Sequence, residues 1–259
     1  MPSTTDPVLL REDRDGIATL TLNRPAQMNL LTEEMLTALQ NAFASIQKDR
    51  EIRVVILAAA GKGYCAGHDL KEIRELREQP KIAELFAQCS ATMMSIQGLP
   101  QPVIAKVQGA AAAAGCQLVA QCDLAVAVDT AKFVTSGVTW GFFCSTPGVA
   151  IGRNLQRKHA MEMLLTGDPI SAQRAMEWGL VNRVVPAAEL DAAVDELAAK
   201  LVAKPRAAEL LRIKPTTLNE MIKRYDIRPR RKKASSGANE PENNGSENGD
   251  ELEPVGEAD

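Results

Sequence analysis

Side chains that bind metals or carry acid–base chemistry are scarce in this sequence. Only two histidines occur in 259 residues, His68 and His159, too few for a histidine-based zinc site. The five cysteines, Cys65, Cys89, Cys116, Cys122 and Cys144, are odd in number. They form neither a Cys-x-x-Cys pair nor a Cys/His ligand pattern, and read as buried thiols of a reducing compartment. Aromatic residues make up 3% of the chain, so small side chains, alanine above all, are expected to fill the core. No run of about 18 apolar residues is present, so no membrane-spanning helix is expected. The first ten residues show no basic segment followed by an apolar one, and too few arginines for a transit peptide. The expected placement is therefore cytoplasmic or in the mitochondrial matrix, not secreted. Positive charge is not in excess either. The net charge is -3 and the basic stretch Arg228 to Lys233 is local, so nucleic acid is not the expected partner.

What is present suits one or two globular domains, with 45% hydrophobic and 24% charged residues. Ile17 to Leu22 alternates and reads as a strand. Thr32 caps a helix whose apolar positions Met35, Leu36, Leu39, Phe43 and Ile46 keep helical spacing. Val54 to Ala58 is a continuous apolar run, as in a strand buried on both faces. Helices are expected over 70–78 and 82–98, then a strand Val103 to Val107, a helix 113–121 and a strand 123–128. Phe133 to Thr135 reads as a short strand and Val138 to Pro147 as a loop. Helices follow over 148–155, 159–166 and 171–178, then a strand Val181 to Val185 and a helix 189–202. This β-α alternation predicts an α/β fold with a largely parallel sheet. From residue 228 the chain becomes basic, then rich in Glu, Asn, Gly and Ser, and is expected to be a disordered tail.

Two small-residue turns stand out, Cys65-Ala66-Gly67-His68-Asp69-Leu70 and Gly109 to Gln117. Each follows an apolar strand and opens a helix, the carboxyl-end position at which open α/β sheets place their ligands. Free backbone N–H groups on both could face one developing negative charge, an arrangement suited to acyl or thioester chemistry. Asp69 is better placed to cap the next helix than to act as a base. Asp123 reads as fixing a strand end, and His159, in a basic stretch, as a surface residue.

Leu22-Asn23-Arg24-Pro25, the Cys65 to Leu70 turn, Pro102 to Ala105, Gly115-Cys116-Gln117-Leu118, Cys122-Asp123 and Leu165-Thr166-Gly167 occur in an order that resembles the crotonase, or enoyl-CoA hydratase/isomerase, superfamily. The resemblance covers roughly residues 9–201. Within that family the Gly67 turn, the alanine run and Phe142 to Val149 most resemble the enoyl-CoA hydratase domain-containing protein 3 group. The resemblance implies a ββα spiral over residues 8–204 that binds an acyl-CoA thioester, assembles as a trimer or hexamer, and needs no cofactor beyond the coenzyme A of its substrate. It implies that the N–H groups of His68 and Ala114 polarise the thioester carbonyl. It places Arg24 near the coenzyme A phosphates or adenine, and Ala66, Gly67, Asp69, Leu70, Trp140, Phe142 and Cys144 around the substrate.

Two positions depart from the family's pattern. Its hydratases hold and protonate water with two glutamates, which match Gln117 and Gly137 here. An amide can hydrogen-bond a water but cannot take its proton, and glycine offers nothing. General acid–base catalysis is worth roughly 10²–10⁴ in rate, so hydration is expected to be very slow. Alternatives are a short acyl-CoA decarboxylase or hydrolase, and a non-catalytic acyl-CoA-binding or regulatory protein. Residues 205–227 permit one or two helices but do not match the family's ending.

Overall fold

The computed structural model describes residues 6–204. The expected helical segment 205–227 and tail 228–259 lie outside the described residues. Strands β1 (Leu9–Arg14) and β2 (Ile17–Leu22) form an antiparallel hairpin, with Asp15 and Gly16 at positive φ in its turn. Helix α1 (Glu33–Lys48) starts at Thr32, whose hydroxyl accepts from the Met35 N–H. It buries the five apolar residues expected from their spacing. Strand β3 (Val54–Ala59) is buried through Ala58. The first small-residue turn follows, then α2 (Leu70–Leu76) and α3 (Gln79–Gly98), which packs on α1.

From here one unit repeats. A strand of the large sheet leads to a short strand of a second sheet and then to a helix: β4 (Val103–Val107), β5 (Ala111–Ala112) and α4 (Ala114–Gln121). It recurs as β6 (Leu124–Val128), β7 (Lys132–Val134), a 3-10 turn at Ser136–Trp140, and helices α5 (Ser145–Asn154) and α6 (Arg157–Thr166). The chain continues through β8 (Ile170–Ser171), α7 (Ala172–Trp178), β9 (Arg183–Val185) and α8 (Leu190–Val202). The large sheet has the order β1-β2-β3-β4-β6-β9 and is parallel beyond β2. The small sheet has the order β5-β7-β8.

Local signals explain much of this. Asp69 caps α2 by accepting from the Lys71 N–H at 2.8 Å, and Ser171 caps α7. Asp123 ties β4 to the start of β6, accepting from the Val103 N–H at 2.9 Å. Three expectations need correction. β1 was not expected, because five of its six residues are exposed and it shows no alternation. Val138 to Pro147 is not a loop throughout: α5 begins at Ser145, with Pro147 in the first turn, where proline's missing N–H has no helical partner to lose. His159 is half-buried, stacked on Trp178 with ring centroids 4.5 Å apart.

Candidate functional site

The two turns meet. Tyr64 and Cys65 donate their N–H groups to the Ala110 carbonyl, and the Ala112 N–H donates to the Cys65 carbonyl at 2.9 Å. Gly115 lies so close to the first turn that a Cβ there would collide with the Cys65 carbonyl oxygen. Gly67 has φ +93°, and a Cβ on it would stand 3.1 Å from the Ala112 carbonyl oxygen and 3.3 Å from the Ala114 nitrogen. Only glycine suits such a contact in that left-handed conformation. Ala113, between Ala112 and Ala114, is itself held at φ 48° and ψ −118°, a sparsely populated region for a residue with a side chain. Its N–H is taken by the Val134 carbonyl at 2.8 Å. Among the described residues, no hydrogen bond takes up the N–H of His68 or of Ala114. Ala114 is the first residue of α4, where the helix leaves its N–H free.

A third segment braces the first turn. The Ala66 N–H donates to the Met28 carbonyl, and the Leu31 N–H to the Gly67 carbonyl. Asn29 is fully buried at φ 52°. Its amide nitrogen donates to the carbonyls of Ala60, Gly63 and Tyr64, and its oxygen accepts from the Arg24 N–H. Sequence reasoning missed this residue. The signal was an asparagine directly before Leu30-Leu31, in the stretch between the strand ending at Leu22 and the Thr32 cap. The Arg24 guanidinium donates to the Pro7 and Asn23 carbonyls, so it ties the end of the hairpin as well as standing beside this segment.

Apart from Asp69, whose carboxylate caps α2, the side chains at the junction are uncharged. The His68 ring lies 5.0 Å from that of Phe86, and its Nε2 is buried with no partner among the described residues. Burial lowers its pKa to about 4, so the imidazole is neutral at pH 7. Gln117 is 4% exposed and its Oε1 is likewise buried and unpaired among the described residues.

At the second departure from the family pattern, the Gly137 N–H donates to the Cys144 Sγ at 3.3 Å. A Cβ on Gly137 would stand 2.7 Å from both that sulfur and the Phe142 carbonyl oxygen. The absent glutamate is thus matched by a space already filled. Burial raises the Cys144 thiol, opposed by the Gly137 N–H, and pushes Cys65 and Cys116 up to about 12. All five cysteines are buried and free, as expected. As neutral thiols they are poor nucleophiles.

Ala66 is half-buried beside Gly67, whereas Leu70, Trp140 and Phe142 are exposed on the described chain. A cavity of about 680 Å³ lies elsewhere, lined by Leu9, Glu33, Glu34, Thr37 and Glu72. It includes neither turn, and its three carboxylates do not suit an anionic ligand. Among the described residues no group of acids, histidines and cysteines could hold a metal, and no helix is long and apolar enough to cross a membrane.

Repeated strand–strand–helix units with two main-chain turns pressed together at strand carboxyl ends define an α/β protein of the ββα-spiral class. Residues 12–225 match the family model described as enoyl-CoA hydratase/isomerase, and the chain belongs to that family, with the crotonase fold. It is 48% identical over 192 residues to the human protein "Enoyl-CoA hydratase domain-containing protein 3, mitochondrial". That match covers 74% of this chain and 63% of the human protein, so the chain spans a little under two thirds of that relative. The crystal structure of human enoyl-CoA hydratase domain-containing protein 3 superposes with a TM-score of 0.78 at 44% identity, over 83% of this chain and 84% of that one. A Mycobacterium smegmatis enoyl-CoA hydratase structure superposes with a TM-score of 0.77 at 54% identity, over 78% and 79% of the two chains. The resemblance to the domain-containing protein 3 group is borne out.

Proposed function

We propose that this chain binds an acyl-CoA thioester and polarises its carbonyl with the N–H groups of His68 and Ala114. The observation that carries this reading is the contact of Gly67 with Ala114, which brings two unengaged N–H donors onto one junction. Fixed main-chain donors stabilise an enolate without reorganising, and one such donor is worth about 10²–10³ in rate. Ala66, Gly67, Asp69, Leu70 and Arg24 are proposed to flank the ligand, with Gln117 orienting water or substrate. No cofactor is needed beyond coenzyme A itself. The compartment proposed is the mitochondrial matrix or the cytoplasm, and the assembly a trimer or hexamer.

Water addition is proposed to be weak, because neither matched position carries a carboxylate. Titrating the full chain with crotonyl-CoA in a calorimeter, alongside a hydration assay, tests both parts. Binding with turnover far below that of a two-glutamate hydratase is expected. Absence of binding overturns the acyl-CoA reading, and fast hydration overturns the loss of activity.

A junction whose one carboxylate, Asp69, is engaged in capping α2 favours a second reading, decarboxylation of a short malonyl-type CoA ester. Cleavage of the bond to the carboxylate releases CO₂ and leaves its electron pair on the α-carbon. The resulting enolate is held by the two N–H groups and is then protonated from water, so no base is required. Mass spectrometry of the incubated ester decides this. Loss of the mass of CO₂ supports it, and an unchanged ester that still binds leaves a non-catalytic acyl-CoA-binding protein.

A further inference from the structure

Segment 28–31 grips the first turn just before His68. The Ala66 N–H donates to the Met28 carbonyl at 3.0 Å, and the Leu31 N–H to the Gly67 carbonyl at 2.8 Å. In a trans peptide the carbonyl and the following N–H point in opposite directions. Leu31 therefore fixes where the His68 N–H points, which is away from segment 28–31. The second donor is aimed in the same way. The Ala113 carbonyl accepts from the Gln117 N–H at 3.0 Å, so the Ala114 N–H points off the start of α4. That bond is local to one helix. The Gly67 carbonyl, by contrast, is held from a distant part of the chain.

Asn29 holds that segment in place. It is fully buried at φ 52°, a left-handed conformation that asparagine tolerates better than most residues with a side chain. Its Nδ2 donates to the carbonyls of Ala60, Gly63 and Tyr64 at 2.9, 3.0 and 3.1 Å, and its Oδ1 accepts from the Arg24 N–H at 2.9 Å. Residues 60–64 lead directly into the first turn, so one side chain ties segment 28–31 to the approach of the turn it grips. Glycine would suit the backbone and make none of these bonds. Aspartate would suit the backbone and accept from Arg24, but would set a carboxylate against three carbonyl oxygens. Asparagine alone meets both demands.

We propose that Asn29 is a positioning residue for the thioester site, aiming the His68 N–H at the bound carbonyl through segment 28–31. This rests on the thioester reading above and gives Asn29 a role beyond stability. Asn29 touches no reacting atom. It acts through the Leu31–Gly67 bond, because a donor turned out of line with its acceptor loses most of its hydrogen bond. Gln101 is the natural comparison. It is another buried amide, and its Nε2 donates to the carbonyls of Ile46, Asp49 and Ile52. That tie lies before the amino end of β3, whereas the first turn follows the carboxyl end of the same strand.

The test uses the full chain with butyryl-CoA and with S-butyl-CoA, a thioether that lacks the carbonyl. The unaltered chain is expected to prefer the thioester. Infrared difference spectra with isotope-labelled carbonyl should show its band at lower wavenumber when bound. Asn29→Gly, which is unstrained at that φ, should cut the preference for thioester over thioether about three- to ten-fold. It should also return the band toward its position in free butyryl-CoA. Gln101→Ala should lower the unfolding midpoint and leave both readouts unchanged. If Asn29→Gly does not fold, Asn29→Ser, which keeps one hydroxyl donor, decides in its place. An unchanged preference and band in a folded Asn29 variant overturns the proposal, as does an equal loss in Gln101→Ala. Failure of the unaltered chain to bind butyryl-CoA overturns the thioester reading itself, and this proposal with it.

Discussion

Gly67 packs directly on Ala114, its Cβ position 3.3 Å from the Ala114 nitrogen. This contact joins the two turns together with the Cys65 hydrogen bonds to Ala110 and Ala112. Gly67→Ala adds a methyl group there at φ +93°. Strain of about 1–3 kcal/mol is expected from the backbone alone. Urea unfolding should show that loss, and calorimetry should show weaker acyl-CoA binding. Unchanged binding in a folded variant would separate the thioester site from this junction.

Gly137 is closed to a replacement acid. Gly137→Glu sets a Cβ 2.7 Å from the Cys144 sulfur and the Phe142 carbonyl oxygen. Overpacking of this kind typically costs about 1–3 kcal/mol. Paired with Gln117→Glu, it is expected to lower the melting temperature and to leave crotonyl-CoA hydration slow. Recovery of fast hydration would show that the 142–144 segment yields easily.

His68 makes stability depend on pH. Its folded pKa is near 4, below the ordinary value of 6.5, because burial disfavours the imidazolium. Between those values the unfolded chain takes up a proton that the folded chain does not. Stability should therefore fall as pH drops from about 6.5 to 4, by up to about 3 kcal/mol. Urea unfolding at pH 7 and pH 4.5 measures it, and His68→Phe should flatten the difference.

Asn29 holds the 24–29 turn against residues 60–64 through three donated hydrogen bonds and one accepted. Asn29→Ala strands the buried Tyr64 carbonyl, worth about 1–3 kcal/mol when unpaired, and removes the bonds to Ala60, Gly63 and the Arg24 N–H, although Gly63 keeps a bond from Gln108. A loss of several kcal/mol is expected by denaturant unfolding, far above that from an exposed substitution such as Glu34→Ala.

The order of elements was legible because it rests on local signals: alternation in β2, helical spacing in α1, caps at Thr32, Asp69 and Ser171. The two turns were legible for the same reason, each a glycine-containing link between an apolar strand and a helix. β1 was not, since an exposed, charged edge strand shows no pattern until β2 is beside it. The start of α5 was hidden by Pro147, which breaks a helix in its interior but not in its first turn. His159 and Trp178 lie nineteen positions apart on separate helices, and no local pattern announces their stacking.

The sequence by itself determined the fold class, the family, the two main-chain turns, and the absence of a carboxylate at positions 117 and 137. Each is a matter of residue identity and order. Only the tertiary structure decided that the turns touch at Gly67 and Ala114, that Cys144 and Phe142 fill the space beside Gly137, and that burial keeps His68 neutral. Those facts depend on distances between segments far apart in the chain, and packing alone sets such distances.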